Sequence, residues 1–173
     1  MSSPRVGVIG GGQLARMMMP AAINLDIHLR VLAQSPNESA AQVIPDTVLG
    51  DHHDLDALVT FARECDVVTF DHEHVPTQHL EHLQSLGIAV RPGPHALQYA
   101  QDKLLMRERL SAAGIPCPQW AQLLTPADLD TFAEQVGYPL VLKTARGGYD
   151  GKGVWVVRDR DEAVAVMGQI LES

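Results

Sequence analysis

Short apolar runs alternate with helix-length amphipathic stretches along the first half of the chain. RVGVI at 5–9 precedes a helical pattern over 13–24, and IHLRVLA at 27–33 follows it. TVLG at 47–50 precedes 54–64, DVVTF at 66–70 precedes 77–86, and GIAV at 87–90 closes the series. This rhythm predicts a β/α succession with a parallel sheet. The strand candidates are rich in Val, Ile and Leu without strict alternation, as expected of a sheet covered on both faces. Such sheets place ligands at the carboxyl ends of their strands, here residues 10–12, 71–76 and 91–94. One residue conflicts with the pattern: Pro20 falls inside the first helix, where a kink or early stop is expected.

After RPGP at 91–94 the pattern changes. A long helix is predicted over 94–113, ended by Gly114, and GIPCP at 114–118 reads as a linker. A strand near 119–124, a helix over 126–136, a strand LVLK at 140–143, a glycine-rich loop, a strand GVWVV at 153–157 and a helix from Asp161 complete the chain. The expected domains are therefore 1–100 and 101–173. The second leaves a sheet face and an edge uncovered, and so reads as the first part of a larger domain.

Composition narrows the function classes. The 173 residues are 46% apolar, enough for a real core. Thirteen Lys and Arg against 21 Asp and Glu give a net charge of −8, which argues against a broad grip on nucleic acid or an anionic membrane. An anionic ligand must then be held by local cations. Two cysteines, Cys65 and Cys117, show no metal or disulfide spacing and suit a reducing cytoplasm. No apolar run approaches the about 18 residues of a membrane span, and the start lacks a signal-peptide pattern.

Two glycine segments carry candidate chemistry. In GVIGGGQLARM the spacing G-x-G-x-x-A follows a strand and opens a helix, which lets backbone approach a phosphate. A dinucleotide site would also place an acid at the end of the second strand, where this chain has Gln34 and Ser35. A nucleotide phosphate or an unliganded tight turn are the alternatives. In LVLKTARGGYDGKGVWVV, four glycines between two strands exceed what a hairpin needs. With Lys143, Arg146 and Lys152 they can wrap polyphosphate, although the spacing is not that of a P-loop. Six of the eight histidines lie in DHHD and DHEHVPTQHLEHL; without accompanying cysteine they read as solvated residues, not a zinc site, and no metal ligand is assigned. Glu73 ends the strand VVTF and faces the same crevice as residues 10–12, where it can accept hydrogen bonds from a ligand.

Taken in order, GVIGGGQLARM, VTFDHEHVP, RPGPHALQYAQDKLLMRERLSAAGIPCP and LVLKTARGGYDGKGVWVV resemble the 5-(carboxyamino)imidazole ribonucleotide synthases, ATP-grasp enzymes of purine biosynthesis. The resemblance covers essentially the whole chain. It implies a Rossmann-like pre-ATP-grasp domain followed by the start of an ATP-grasp domain. It also implies carboxylation of 5-aminoimidazole ribonucleotide with bicarbonate and ATP, with magnesium, in a cytoplasmic homodimer.

By the same resemblance, Arg91 and Lys143 are ATP-binding, as are Gly148, Tyr149, Asp150, Gly151, Lys152, Gly153 and Val154. Tyr149, Asp150 and Lys152 match catalytic positions facing the ribonucleotide and bicarbonate. Gly12, Gln13, Leu14 and Glu73 match contacts to the ribonucleotide. The family writes an acid pair F-E-x-E where this chain has Phe70, Asp71, His72 and Glu73, so the first acid is shortened. Its adenine clamp, magnesium carboxylates and C-terminal domain are expected beyond residue 173, so the 173 residues alone are expected to be inactive. The competing readings are a formate-using ribonucleotide transformylase and a non-catalytic nucleotide-binding module.

Overall fold

The computed structural model describes residues 3–148 and 152–171. The chain forms two compact units that divide between Gln98 and Tyr99.

In the first unit, β1 (Arg5–Ile9), β2 (His28–Ala33), β3 (Thr47–Leu49) and β4 (Val67–Phe70) form a parallel sheet in the order β3-β2-β1-β4. Its helices are α1 (Gln13–Asn24), α2 (Leu55–Ala62) and α3 (Thr77–Ser85). Neighbouring residues of one strand enter different cores. Val8 and Val31 pack with Ala15, Ala22 and Ile44 on the α1 side. Ile9 and Leu32 pack with Leu58, Phe61, Leu80 and Leu83 of α2 and α3 on the other. The sheet is thus covered on both faces, which explains why its strands lack strict alternation. Strand order reverses between β1 and β4, and this switch point is where open α/β sheets bind ligands.

Two expectations need correcting here. Of the kink or early stop expected at Pro20, the early stop does not occur: α1 runs on to Asn24, and Pro20 itself is exposed. The run GIAV is not a strand: Val90 makes a single parallel bridge to Val68, and after Arg91 comes Pro92, which has no N–H to donate.

The second unit contains α5 (Lys103–Ala112), α6 (Pro126–Val136), an antiparallel pair β5 (Leu140–Lys143) and β6 (Val154–Val157), and α7 (Arg160–Leu171). Leu140, Leu142 and Val157 pack with Leu129 of α6 and with Ala163, Val166 and Met167 of α7. On the opposite face Val141 and Val156 stand 55% exposed. The long helix expected over 94–113 is two helices, α4 (Pro94–Gln101) and α5. Asp102 interrupts them by leaving helical geometry and accepting the amides of Leu104 and Leu105 as an N-cap. The strand expected near 119–124 does not form; α6 instead begins with a capping box between Thr125 and Asp128.

Candidate functional site

The turn after β1 sits at the switch point and is held by a buried acid from β4's end. The Gly12 amide donates to Asp71 Oδ2 at 2.8 Å, and the Asp71 side chain is only 3% exposed. Its other oxygen, Oδ1, is buried without a hydrogen-bond partner. A Cβ at Gly10 would collide with that oxygen, and Gly10 has φ +110, so the turn admits this acid only with glycine there. A Cβ at Gly12 would stand 2.8 Å from Asp71 Oδ2. Gly11 is closed in by Glu38 and Ala33, and its carbonyl accepts from the Ala40 amide at 2.8 Å. The glycines therefore serve internal packing as much as any ligand.

The expected substrate contacts fall around this turn. Gly12's amide is committed to Asp71, whereas the amides of Gln13 and Leu14 open helix α1 with no acceptor among the described residues. That leaves these N–H groups at a helix N-terminus, a setting that favours an anion. Gln13 Oε1 accepts from Ser39 Oγ at 2.7 Å, and Leu14 is 60% exposed. Glu73 lies just past β4 with its side chain 21% exposed, 3.9 Å from His74 Nε2. Arg91, also in this unit, is exposed; its guanidinium donates to the Val90 carbonyl and its amide to Val68.

The histidines here are not all solvated, contrary to expectation. His52 is 9% exposed, and its ring lies 4.6 Å from that of His72, which lies 5.3 Å from that of His74. Burial, then the neighbouring His72, pulls the His52 pKa down to about 4. His72 is likewise lowered, by burial first, against the opposing pull of Asp71. Both imidazoles are thus uncharged at neutral pH. Asp51 is lowered to about 2, mainly by the His53 amide it accepts.

In the second unit, the loop between β5 and β6 closes on Thr144. The Thr144 amide donates to the Gly153 carbonyl at 3.0 Å, and Thr144 Oγ1 is buried and unpaired. A Cβ at Gly148 or Gly153 would meet that hydroxyl at 2.7 or 2.6 Å. The base of α5 pins the loop from outside: Lys103 Nζ donates to the Gly147 carbonyl at 2.7 Å, its amide to Ala145, and Asp102 faces Arg146 at 3.7 Å. Lys143 and Lys152 are exposed at the two ends of the loop, and Val154 opens β6. Tyr149, Asp150 and Gly151 lie outside the described residues. Sequence reasoning missed Asp71 as the clamp on Gly12, Thr144 under the loop, and the Asp102–Lys103 anchor. Only Asp71 carried a signal, its place at a strand's carboxyl end.

Residues 3–101 match the ribonucleotide synthetase preATP-grasp domain family, and residues 108–173 match the ATP-grasp domain family. The chain belongs to the ribonucleotide synthetase preATP-grasp family. It is 52% identical over 161 residues to the N5-carboxyaminoimidazole ribonucleotide synthase of Mycobacterium tuberculosis, covering 93% of this chain and 38% of that protein. Its fold matches the Staphylococcus aureus N5-carboxyaminoimidazole synthetase complexed with ADP, with TM-score 0.88, 30% identity, and coverage of 98% of this chain and 45% of that one. It also matches the Aspergillus clavatus synthase complexed with ADP and 5-aminoimidazole ribonucleotide, with TM-score 0.83, 35% identity, and coverage of 98% and 44%. The chain therefore spans about two fifths of the length of the curated relatives it matches.

Proposed function

We propose that this chain is part of an ATP-dependent ligase that carboxylates 5-aminoimidazole ribonucleotide with bicarbonate. What carries the reading is that a 35% identical relative of the same fold binds both ADP and that ribonucleotide, while this chain has an anion-ready turn in one unit and a cation-bearing glycine loop in the other. In the first unit, the Gln13 and Leu14 amides hold the ribonucleotide phosphate, and Glu73 accepts from its hydroxyls or amine. In the second, Lys143 contacts ATP phosphate oxygens, Gly148, Gly151, Gly153 and Val154 close over the nucleotide, and Lys152 with Tyr149 and Asp150 faces the reacting groups. Arg91 is assigned to ATP as well.

The chemistry asks mainly for positioning and charge neutralisation. A bicarbonate oxygen attacks the γ-phosphorus as the bond to ADP breaks, giving carboxyphosphate. The substrate amine then attacks its carbon, a C–N bond forms as the bond to phosphate oxygen breaks, and the nitrogen loses a proton. Lysine ammonium groups at the loop offset the negative charge that collects on the transferred phosphoryl group. Magnesium belongs to the proposal as the ion carried with ATP. The acid that meets this loop, Asp102, is committed to capping α5 and facing Arg146, so it offers the ion no free carboxylate.

Among the described residues, no helix is long and apolar enough to cross a membrane, and both cysteines are free. A cytoplasmic homodimer completes the proposal. The deciding experiment follows ADP release and carboxylated product in the full-length protein, omitting ribonucleotide and bicarbonate in turn. Release that needs the ribonucleotide, with product that needs bicarbonate, supports the reading. Replacement of bicarbonate by formate would move the protein to a transformylase, and no release under any combination would leave a binding module.

A further inference from the structure

The loop after β3 brings together a second set of chemical groups, none of which the proposed carboxylation uses. Asp51, His52 and His53 are consecutive, and one ligand atom from each lies within 4.8 Å of the other two. Asp51 Oδ1 is 3.0 Å from His53 Nδ1 and 4.0 Å from His52 Nδ1. A tetrahedral ion with nitrogen and oxygen ligands at about 2.0–2.1 Å holds those atoms about 3.3 Å apart, so small side-chain rotations suffice to converge them.

Three further features give the cluster the build of a site. Gln34 Nε2 donates to Asp51 Oδ1 at 3.0 Å and so fixes the carboxylate's direction, the task of an outer-shell partner. His52 is buried, and its ring is backed by His72 at 4.6 Å, which limits its swing. Asp51 and His53, by contrast, have side chains 55% and 59% exposed, leaving an entry path and room for solvent in the remaining position.

We propose that Asp51, His52 and His53 bind one divalent ion of the zinc class, with water completing the shell. Two imidazoles and one carboxylate favour zinc, cobalt or nickel over magnesium, which prefers oxygen ligands. The ion bound to ATP is therefore a separate matter. Occupancy would stiffen the loop that packs on His72, whose Nε2 lies 3.9 Å from the turn-clamping Asp71.

The test is a cobalt(II) titration of the nucleotide-free full-length protein, read by visible absorption and by zinc competition. One equivalent of cobalt with tetrahedral bands is expected, displaced by zinc. Asp51→Asn and His53→Gln, both at exposed positions and checked for fold by circular dichroism, should each weaken binding at least about tenfold. The double variant His79→Gln/His82→Gln on α3 should bind as the parent does. No tetrahedral band, binding unchanged in Asp51→Asn and His53→Gln, or binding lost in the α3 variant would each overturn the site.

Discussion

In the first unit, successive residues of β1 and β2 enter two separate cores, and the candidate turn hangs from the sheet's interior through Asp71. In the second, β5 and β6 bury Leu140, Leu142 and Val157 on one side and leave Val141 and Val156 exposed on the other. Its candidate loop is held at its margin by Thr144, Asp102 and Lys103, and its cations stand in solvent. The difference teaches that the two candidate segments rest on different physics. The turn offers backbone N–H groups whose positions a packed sheet dictates. The loop offers long charged side chains on exposed Lys143 and Lys152, with Gly148 and Gly153 closed against Thr144.

The harshest way to break this comparison is Gly10→Ala. The new methyl would meet the buried Asp71 Oδ1, in a backbone conformation with φ +110. A loss of about 3 kcal/mol or more in the first unit is expected, since strain and overpacking add. Urea unfolding followed by hydrogen exchange of β1 and β4 peptides would show it, with exchange in the β5–β6 peptides unchanged. Equal loss in both units would mean that the turn is not specifically a first-unit device.

Lys143→Ala should give the reverse pattern. Removing one charge-assisted contact to phosphate costs about 2 kcal/mol, or roughly thirtyfold in ATP affinity by calorimetry, with little change in either unit's stability. Lys143→Arg should recover part of that loss. If Lys143→Ala binds ATP as tightly as the parent, the loop's cations are only a solvated surface and the nucleotide reading of the second unit fails.

Asp71→Ala and Asp71→Asn sharpen the first unit's half. Alanine leaves the Gly12 amide unpaired and should cost about 1–2 kcal/mol, whereas asparagine keeps an acceptor and should cost less. If Asp71 positions the turn for the ribonucleotide phosphate, Asp71→Ala raises KM for the ribonucleotide more than it lowers kcat. A fall in kcat alone would place the residue in the chemistry instead.

How much of this was legible in the chain follows the same division. Parallel strands and their order of appearance came through because Val, Ile and Leu runs with short connections leave few alternatives. The break at Asp102 did not, since an N-cap inside a continuous helical pattern shows only when its side chain turns back on Leu104 and Leu105. Pro20 misled for the opposite reason: tertiary packing of Ala15 and Ala22 holds α1 together across a residue that propensity alone would treat as a stop. For the site, glycines and lysines announce themselves by type and spacing. Asp71, Thr144 and His52 matter through burial, which spacing does not reveal.

The smallest expected effect separates a semi-buried charge pair from an exposed one. In the first unit Asp46 accepts from His28 Nε2 at 2.8 Å and Arg30 Nη1 at 2.9 Å, with its side chain 25% exposed. Burial alone would raise its pKa, but the His28 hydrogen bond and the Arg30 charge outweigh it and hold the carboxyl below its ordinary value of 3.8. A carboxyl depressed by folding contributes stability that is full above its unfolded pKa and lost as pH falls through the folded one. Asp46→Asn should therefore weaken the first unit by no more than about 1 kcal/mol at pH 7, and the gap should close as pH drops below about 4. In the second unit Arg160 grips Asp130 by two bonds of 2.6 and 2.9 Å, yet both side chains are well exposed. Raising salt to about 1 M, where the Debye length is about 3 Å, should erase any protection this pair gives to α6 and α7 while sparing β1 and β2. Hydrogen exchange at low and high salt checks both, and salt sensitivity equal in the two units would show that burial does not set their electrostatics apart.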